Sequence, residues 1–170
     1  MNPLQREALV VTEELGDVVF VGAVAVLSYL GWRHRATRDL DLAMASKLNR
    51  EELEQLGYRM YPERGKEVLR SPRGFKIDIF YNDVSGIPVR VIYKTARKIQ
   101  VGKTRIKAAS LEVLLLAKWR ASRPSRPQDR EDFITLCEKR GKDVNWKALK
   151  DICSALEFSE IERVVMALRQ

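Results

Sequence analysis

The stretch Thr37-Arg38-Asp39-Leu40-Asp41-Leu42-Ala43 decides how this chain is read. Its alternation of carboxylates with leucines is the pattern of a β-strand, in which residues two apart share a face. Asp39 and Asp41 therefore project together, while Leu40 and Leu42 turn toward a core. Adjacent carboxylates repel one another unless a cation neutralises them, and hard oxygen ligands suit Mg²⁺. These seven residues alone would equally fit two solvated charges on an edge strand.

The flanking segments tip the balance. Upstream, residues 17–21 are short, β-branched and apolar, which predicts a buried strand; Gly22 then opens a helix that Gly31 stops. Downstream, Lys76-Ile77-Asp78-Ile79-Phe80 repeats the alternation and offers Asp78 as a third carboxylate. Asp78 otherwise reads as a polar position on an amphipathic strand. Three acidic side chains from two strands, with two Mg²⁺ ions bridging them to phosphates, form the apparatus of metal-dependent phosphoryl or nucleotidyl transfer. Mn²⁺ is the expected substitute. Asp83 reads as a turn residue after Asn82 rather than a fourth ligand.

The rest of the chain supplies the frame. Leu4, Ala8, Val11 and Leu15 recur at helical spacing over 3–15, and Gly16 ends that helix. Asn49 caps a helix over 50–56. Extended segments follow at 58–61, 67–70, 75–81, 89–93 and 99–106, the last folded around Gly102-Lys103. Pro62, Gly65, Pro72-Arg73-Gly74 and Ser85-Gly86 separate them, and Arg123-Pro124-Ser125-Arg126-Pro127 breaks the helices that begin at Ser110. Further helices are expected over 128–139, 145–156 and 159–169. The fold class is thus α/β (α+β): a mixed sheet flanked by helices over 1–108, joined to a C-terminal helical region over 109–170.

Charge points to a polyanion. The chain carries 31 Lys+Arg against 23 Asp+Glu, a formal +8. No acidic residue lies between Asp83 and Glu112, whereas Arg90, Lys94, Arg97, Lys98, Lys103, Arg105 and Lys107 do. Arg33, His34, Arg35 and Arg38 form a second basic cluster just before the aspartates; Arg33 and Arg38 either bind substrate phosphate or are plain surface charges. Cys137 and Cys153 have no CxxC spacing, and His34 is the lone histidine, which argues against zinc. The apolar run over 18–30 is too short to span a bilayer and no signal peptide is evident, so a cytoplasmic protein without a membrane partner is expected.

Phe20-Val21-Gly22-Ala23, Gly31-Trp32-Arg33 and the Asp39/Asp41 strand together resemble motif I of the nucleotidyltransferase fold in the DNA polymerase β superfamily. Lys76-Ile77-Asp78-Ile79-Phe80 is similar to the strand that carries the family's third carboxylate. Lys118, Arg126, Asp129 and Asp132 resemble the Lys…Arg…Asp…Asp helices of the AbiEii/MenT-type branch, which includes toxins of toxin–antitoxin systems. The resemblance covers about residues 17–140. It implies catalytic and metal roles for Asp39, Asp41 and Asp78, and nucleotide contacts from Gly22, Ala23, Arg38, Lys118 and Asp129. It also implies a nucleoside triphosphate substrate and an acceptor hydroxyl, on RNA (a tRNA end) before protein, with an antitoxin as a candidate partner.

Ala23 stands where the family usually has Ser or Gly and offers no hydroxyl to a phosphate; backbone N–H groups after Gly22 remain for that task. Lys118 lies on the apolar face of its helix, so it either snorkels or serves an anion in a cleft. Asp129 and Asp132 share a helix face and either pair with Arg126 or Lys118 or act directly. Arg126 otherwise reads as a loop charge, and Trp119 and Trp146 as core. A catalytically inactive nucleotidyltransferase-fold protein, acting as a nucleic-acid-binding or regulatory module, is the alternative that Ala23 and the basic charge keep open.

Overall fold

The computed structural model describes residues 1–63, 66–122 and 124–170. The expected breaks at Gly65 and Arg123 lie outside them. Local signals explain most of the elements. Helix α1 (Pro3–Leu15) starts in a capping box: the Asn2 side chain accepts from Gln5 N–H at 2.8 Å, and Gln5 Oε1 accepts from Asn2 N–H at 2.8 Å. Strand β1 (Val19–Phe20) leads through Gly22 into α2 (Ala23–Leu30), whose first five residues are buried. Strand β2 (Asp39–Ala43) follows, with Leu40 and Leu42 fully buried as their alternation requires.

Asn49 caps α3 (Arg50–Gln55) by accepting from the Glu51 and Glu52 N–H groups. Strands β3 (Arg59–Glu63), β4 (Lys66–Arg70) and β5 (Lys76–Phe80) complete one wing of the sheet. A hairpin of β6 (Asp83–Val84) and β7 (Ile87–Pro88) turns at Ser85 and Gly86, which have φ of 51° and 75°. Positive φ at both central residues is the turn that suits tight hairpins. Asp83 closes it by accepting from Gly86 N–H at 2.8 Å, as a turn residue.

One expected strand is a helix. Residues 89–93 lie within α4 (Val89–Thr95), although Val-Arg-Val-Ile-Tyr is rich in β-forming residues. Val89 and Ile92, three apart, are buried against the core, and that tertiary burial outweighs local propensity. Strands β8 (Arg97–Val101) and β9 (Thr104–Ala108) then form the hairpin expected around Gly102.

The seven-stranded sheet has the order β3-β4-β5-β2-β1-β9-β8. Strand β2 runs antiparallel to β1 and parallel to β5, and β9 runs parallel to β1. The remaining helices are α5 (Leu111–Ala121), α6 (Pro127–Arg140), α7 (Trp146–Ile152) and α8 (Ala155–Leu168). Helices α5 and α6 pack on each other and on α2, which places the C-terminal helices beside the carboxylate strands. A single apolar core runs from Leu4 through Leu42 and Leu115 to Val165. Among the described residues no helix is long and apolar enough to cross a membrane.

Helix α1 is pinned to the sheet by ions. Buried Glu7 accepts from Arg73 Nε at 2.6 Å, and Arg73 also reaches Glu14 at 3.1 Å. Tyr58 donates to Glu14, and burial with that bond raises its pKa.

Candidate active site

Parallel pairing sets Asp41 directly beside Asp78 in register, with Leu40 beside Ile77 and Leu42 beside Ile79. Residues paired this way point to the same face, so the two carboxylates stand on one side of the sheet and the apolar pairs on the other. Both aspartates line a cavity of about 300 Å³, together with Gly22, Lys118, Arg126 and Asp129. The site therefore draws on β2, β5, the start of α2, the last turns of α5 and the start of α6.

Asp39 shares the face of Asp41 but is exposed at the start of β2, outside that cavity wall. Residues two apart on a strand are separated by about 6.5 Å, so one of the pair can sit in a cleft and the other at its edge. Among the described residues, no three Asp, Glu, His or Cys side chains converge closely enough to hold an ion by themselves. The arrangement is a carboxylate pair with a third carboxylate set back.

Electrostatics mark that pair. Loss of solvent and the Asp78 carboxylate raise the Asp41 pKa above its ordinary value, with Lys118 opposing them. Asp78 meets Lys76 Nζ at 3.5 Å, and Lys76 also meets Glu63 at 2.9 Å. A dication would relieve the repulsion, and the all-oxygen donors suit Mg²⁺. That ion usually binds through one or two carboxylates and completes its shell with water and substrate phosphate. The donor set fits.

Gly22 has a steric reason to be glycine: any Cβ there would collide with the Asp41 side chain. Val21 N–H donates to Asp41 O at 2.9 Å, which locks the turn against β2. Ala23 is the buried first residue of α2.

Lys118 does not snorkel to solvent. Its Nζ lies 2.6 Å from Asp129 Oδ1 and 2.9 Å from Asp132 Oδ2. Arg126 Nε reaches Asp129 at 2.6 Å, and Arg35 reaches Asp132 at 3.1 Å. Asp132 is completely buried, and Gln128 bonds to its second oxygen at 3.2 Å. The two aspartates thus anchor three cations in one wall. Arg35 had no mark in the sequence beyond its basic cluster, because its partner lies 97 residues away. Arg33 and Arg38 line a different cavity, beyond the start of β2.

No family model and no curated sequence matches this chain. Solved structures do. The antibiotic-resistance factor ANT(2'')-Ia superposes with a TM-score of 0.58 at 15% identity, covering 96% of this chain and 90% of that one. A second structure of that factor, in complex with adenylyl-2''-tobramycin, gives 0.57 at 16% identity, with 96% and 95% covered. JHP933 from Helicobacter pylori gives 0.57 at 15% identity, with 97% and 89% covered. An antigenic nucleotidyltransferase-like protein from Paracoccidioides brasiliensis gives 0.50 at 15% identity, with 98% and 91% covered. With the carboxylate strands side by side and helices packed around a mixed sheet, this chain has the nucleotidyltransferase-like fold.

Proposed function

We propose that the chain is a Mg²⁺-dependent nucleotidyltransferase that moves a nucleoside monophosphate from a nucleoside triphosphate to an acceptor hydroxyl. The observation that carries this reading is the Asp41–Asp78 register pair in a cavity whose other walls are Gly22, Lys118 and Arg126. Asp41 and Asp78 would hold the metal, with Asp39 as a third ligand at the cavity's edge. When bound, Mg²⁺ offsets charge on the attacking and leaving oxygens. The N–H groups at the start of α2 cradle phosphate, since a helix N-terminus leaves them unpaired. Ala23 adds no hydroxyl, so that contact is made by backbone alone. Lys118 and Arg126 face the same anion. Asp78 orients the acceptor hydroxyl and takes its proton; the acceptor oxygen bonds to the α-phosphorus and pyrophosphate leaves.

RNA is the favoured acceptor. A net charge of +8 favours association with polyanions. Exposed Lys98, Lys103 and Arg105 on the β8–β9 hairpin supply much of that charge. A protein hydroxyl ranks second. An antitoxin partner and a cytoplasmic setting belong to the AbiEii/MenT-type version of the same reading.

The test is incubation with α-labelled nucleotides, Mg²⁺ and total RNA or protein. Label transfer is expected, abolished by a chelator, restored by added Mg²⁺, and lost in Asp41→Asn and Asp78→Asn. RNA binding without any transfer would favour the inactive-module alternative, for which Ala23 is the specific motive.

A further inference from the structure

We propose that the cavity beyond the start of β2 docks the last nucleotides of an acceptor RNA strand. This rests on the transferase reading above, but the binding it describes is measured without catalysis. The cavity measures about 630 Å³, roughly twice the carboxylate cavity at about 300 Å³. The smaller space is at the low end for one nucleotide-sized ligand and leaves an acceptor to be held elsewhere.

Its walls have the chemistry of a nucleotide site. Leu4, Phe75 and half-buried Trp32 make an apolar surface, and a tryptophan ring stacks on any base. Arg33 and Arg38 are exposed, and among the described residues neither has an ion-pair partner. Two unneutralised guanidinium groups in one depression suit phosphodiesters. Arg35 is the third. Its Nε is buried with no hydrogen-bond partner among the described residues, although its terminal nitrogen holds Asp132.

Position links the cavity to the chemistry. Arg35 connects through Asp132 to Lys118, which borders the carboxylate cavity. Arg38 immediately precedes Asp39 and continues the alternation that puts Leu40 and Leu42 on the face away from the carboxylates. The docking cavity therefore lies around the end of β2 from the carboxylate pair, with exposed Asp39 between them in sequence. Its wall is held firm: Asn2 Nδ2 donates to Trp32 O at 3.2 Å while Asn2 Oδ1 caps α1.

The experiment follows the anisotropy of a dye-labelled single-stranded oligoribonucleotide with a free 3' hydroxyl, in a chelator and without nucleoside triphosphate. Arg33→Gln/Arg38→Gln is expected to weaken binding by roughly tenfold or more and to reduce the slope of log K against log salt by about 0.7 per arginine removed. Trp32→Ala should weaken it without changing the slope. Both arginines are exposed, so unchanged circular dichroism and Tm are expected in the first variant. Unaltered affinity in both variants, loss confined to Lys98→Gln/Arg105→Gln, or displacement by a mononucleotide as readily as by the oligomer would each overturn the proposal. Transfer assays on Asp41→Asn report on the transferase reading independently: that variant should bind the oligomer as the wild type does.

Discussion

Gly22 lies so close to Asp41 that a Cβ built on it would stand 1.7 Å from Asp41 Oδ2 and 2.8 Å from Asp41 Cβ. A carboxylate oxygen can swing away, but a Cβ moves only if strand β2 moves. The turn and the carboxylate are therefore one device: the glycine brings backbone N–H groups next to the acidic pair.

Gly22→Ala is expected to fold, with a lowered Tm, and to lose about a hundredfold in transfer rate, because a displacement near 1 Å at a reacting centre has that effect. Measuring label transfer beside thermal unfolding separates the two losses. Wild-type transfer rates in Gly22→Ala would refute the steric coupling.

Much of the frame was legible because its signals are local. Asn49 and Ser110 announce helix starts, and alternation announces β2 and β5. What failed was the segment 89–93, where β-branched residues hid the i, i+3 burial of Val89 and Ile92. Strands of two residues, such as β6 and β7, are too short to show a period. The sheet order was out of reach, since β9 pairs with β1 across about half the length of the chain. Within the site, the sequence named Asp41, Asp78, Lys118, Arg126 and Asp129, and one cavity holds them all. The exposed setting of Asp39, the separate cavity of Arg38 and the bond from Arg35 to Asp132 depend on long-range packing. Alternation cannot reveal that.

Acid should loosen the contact between α5 and α8. Arg120 holds Glu157 with bonds of 2.7 and 3.1 Å, and those bonds, with the Ser154 cap, lower the Glu157 pKa from 4.5 to about 2. A depressed carboxyl stabilises the fold fully above its unfolded value and ceases to do so as pH falls through its folded value. The contribution is thus present above about pH 4.5 and disappears between there and about pH 2. Thermal unfolding of wild type and Glu157→Gln should differ at pH 6 and converge toward pH 2. A constant difference across that range would assign the effect to packing instead.

The two thiols should react at different rates. Burial pushes the Cys137 thiol up to about 12, and its side chain is completely enclosed. Cys153 is partly exposed, donates to Leu149 O at 3.0 Å, and is raised by burial as well. The thiolate is the reactive form, so access and pKa both favour Cys153. A thiol-reactive chromophore at pH 8 should label Cys153 first in the native protein and Cys137 only after denaturation. Equal fast labelling of both would contradict the packing of α6.

Lys118 offers the sharpest division between scaffold and chemistry. Lys118→Met removes the cation that Asp129 and fully buried Asp132 share, leaving them Arg126 and Arg35. Breaking a buried ion pair from one side costs about 3 kcal/mol, and the remaining arginines place this case at the lower end of that effect. Urea unfolding should show the loss, and adding Asp132→Asn to the same chain should restore part of it, since the buried charge that has lost one of its two cations then disappears. If the lysine served only the wall, the double variant would recover transfer along with stability. Contact between Lys118 and the triphosphate predicts the opposite: stability returns while KM for the nucleotide stays high. Measuring both quantities on the two variants therefore tells whether the cation at the cavity's edge holds α6 in place or also holds the substrate.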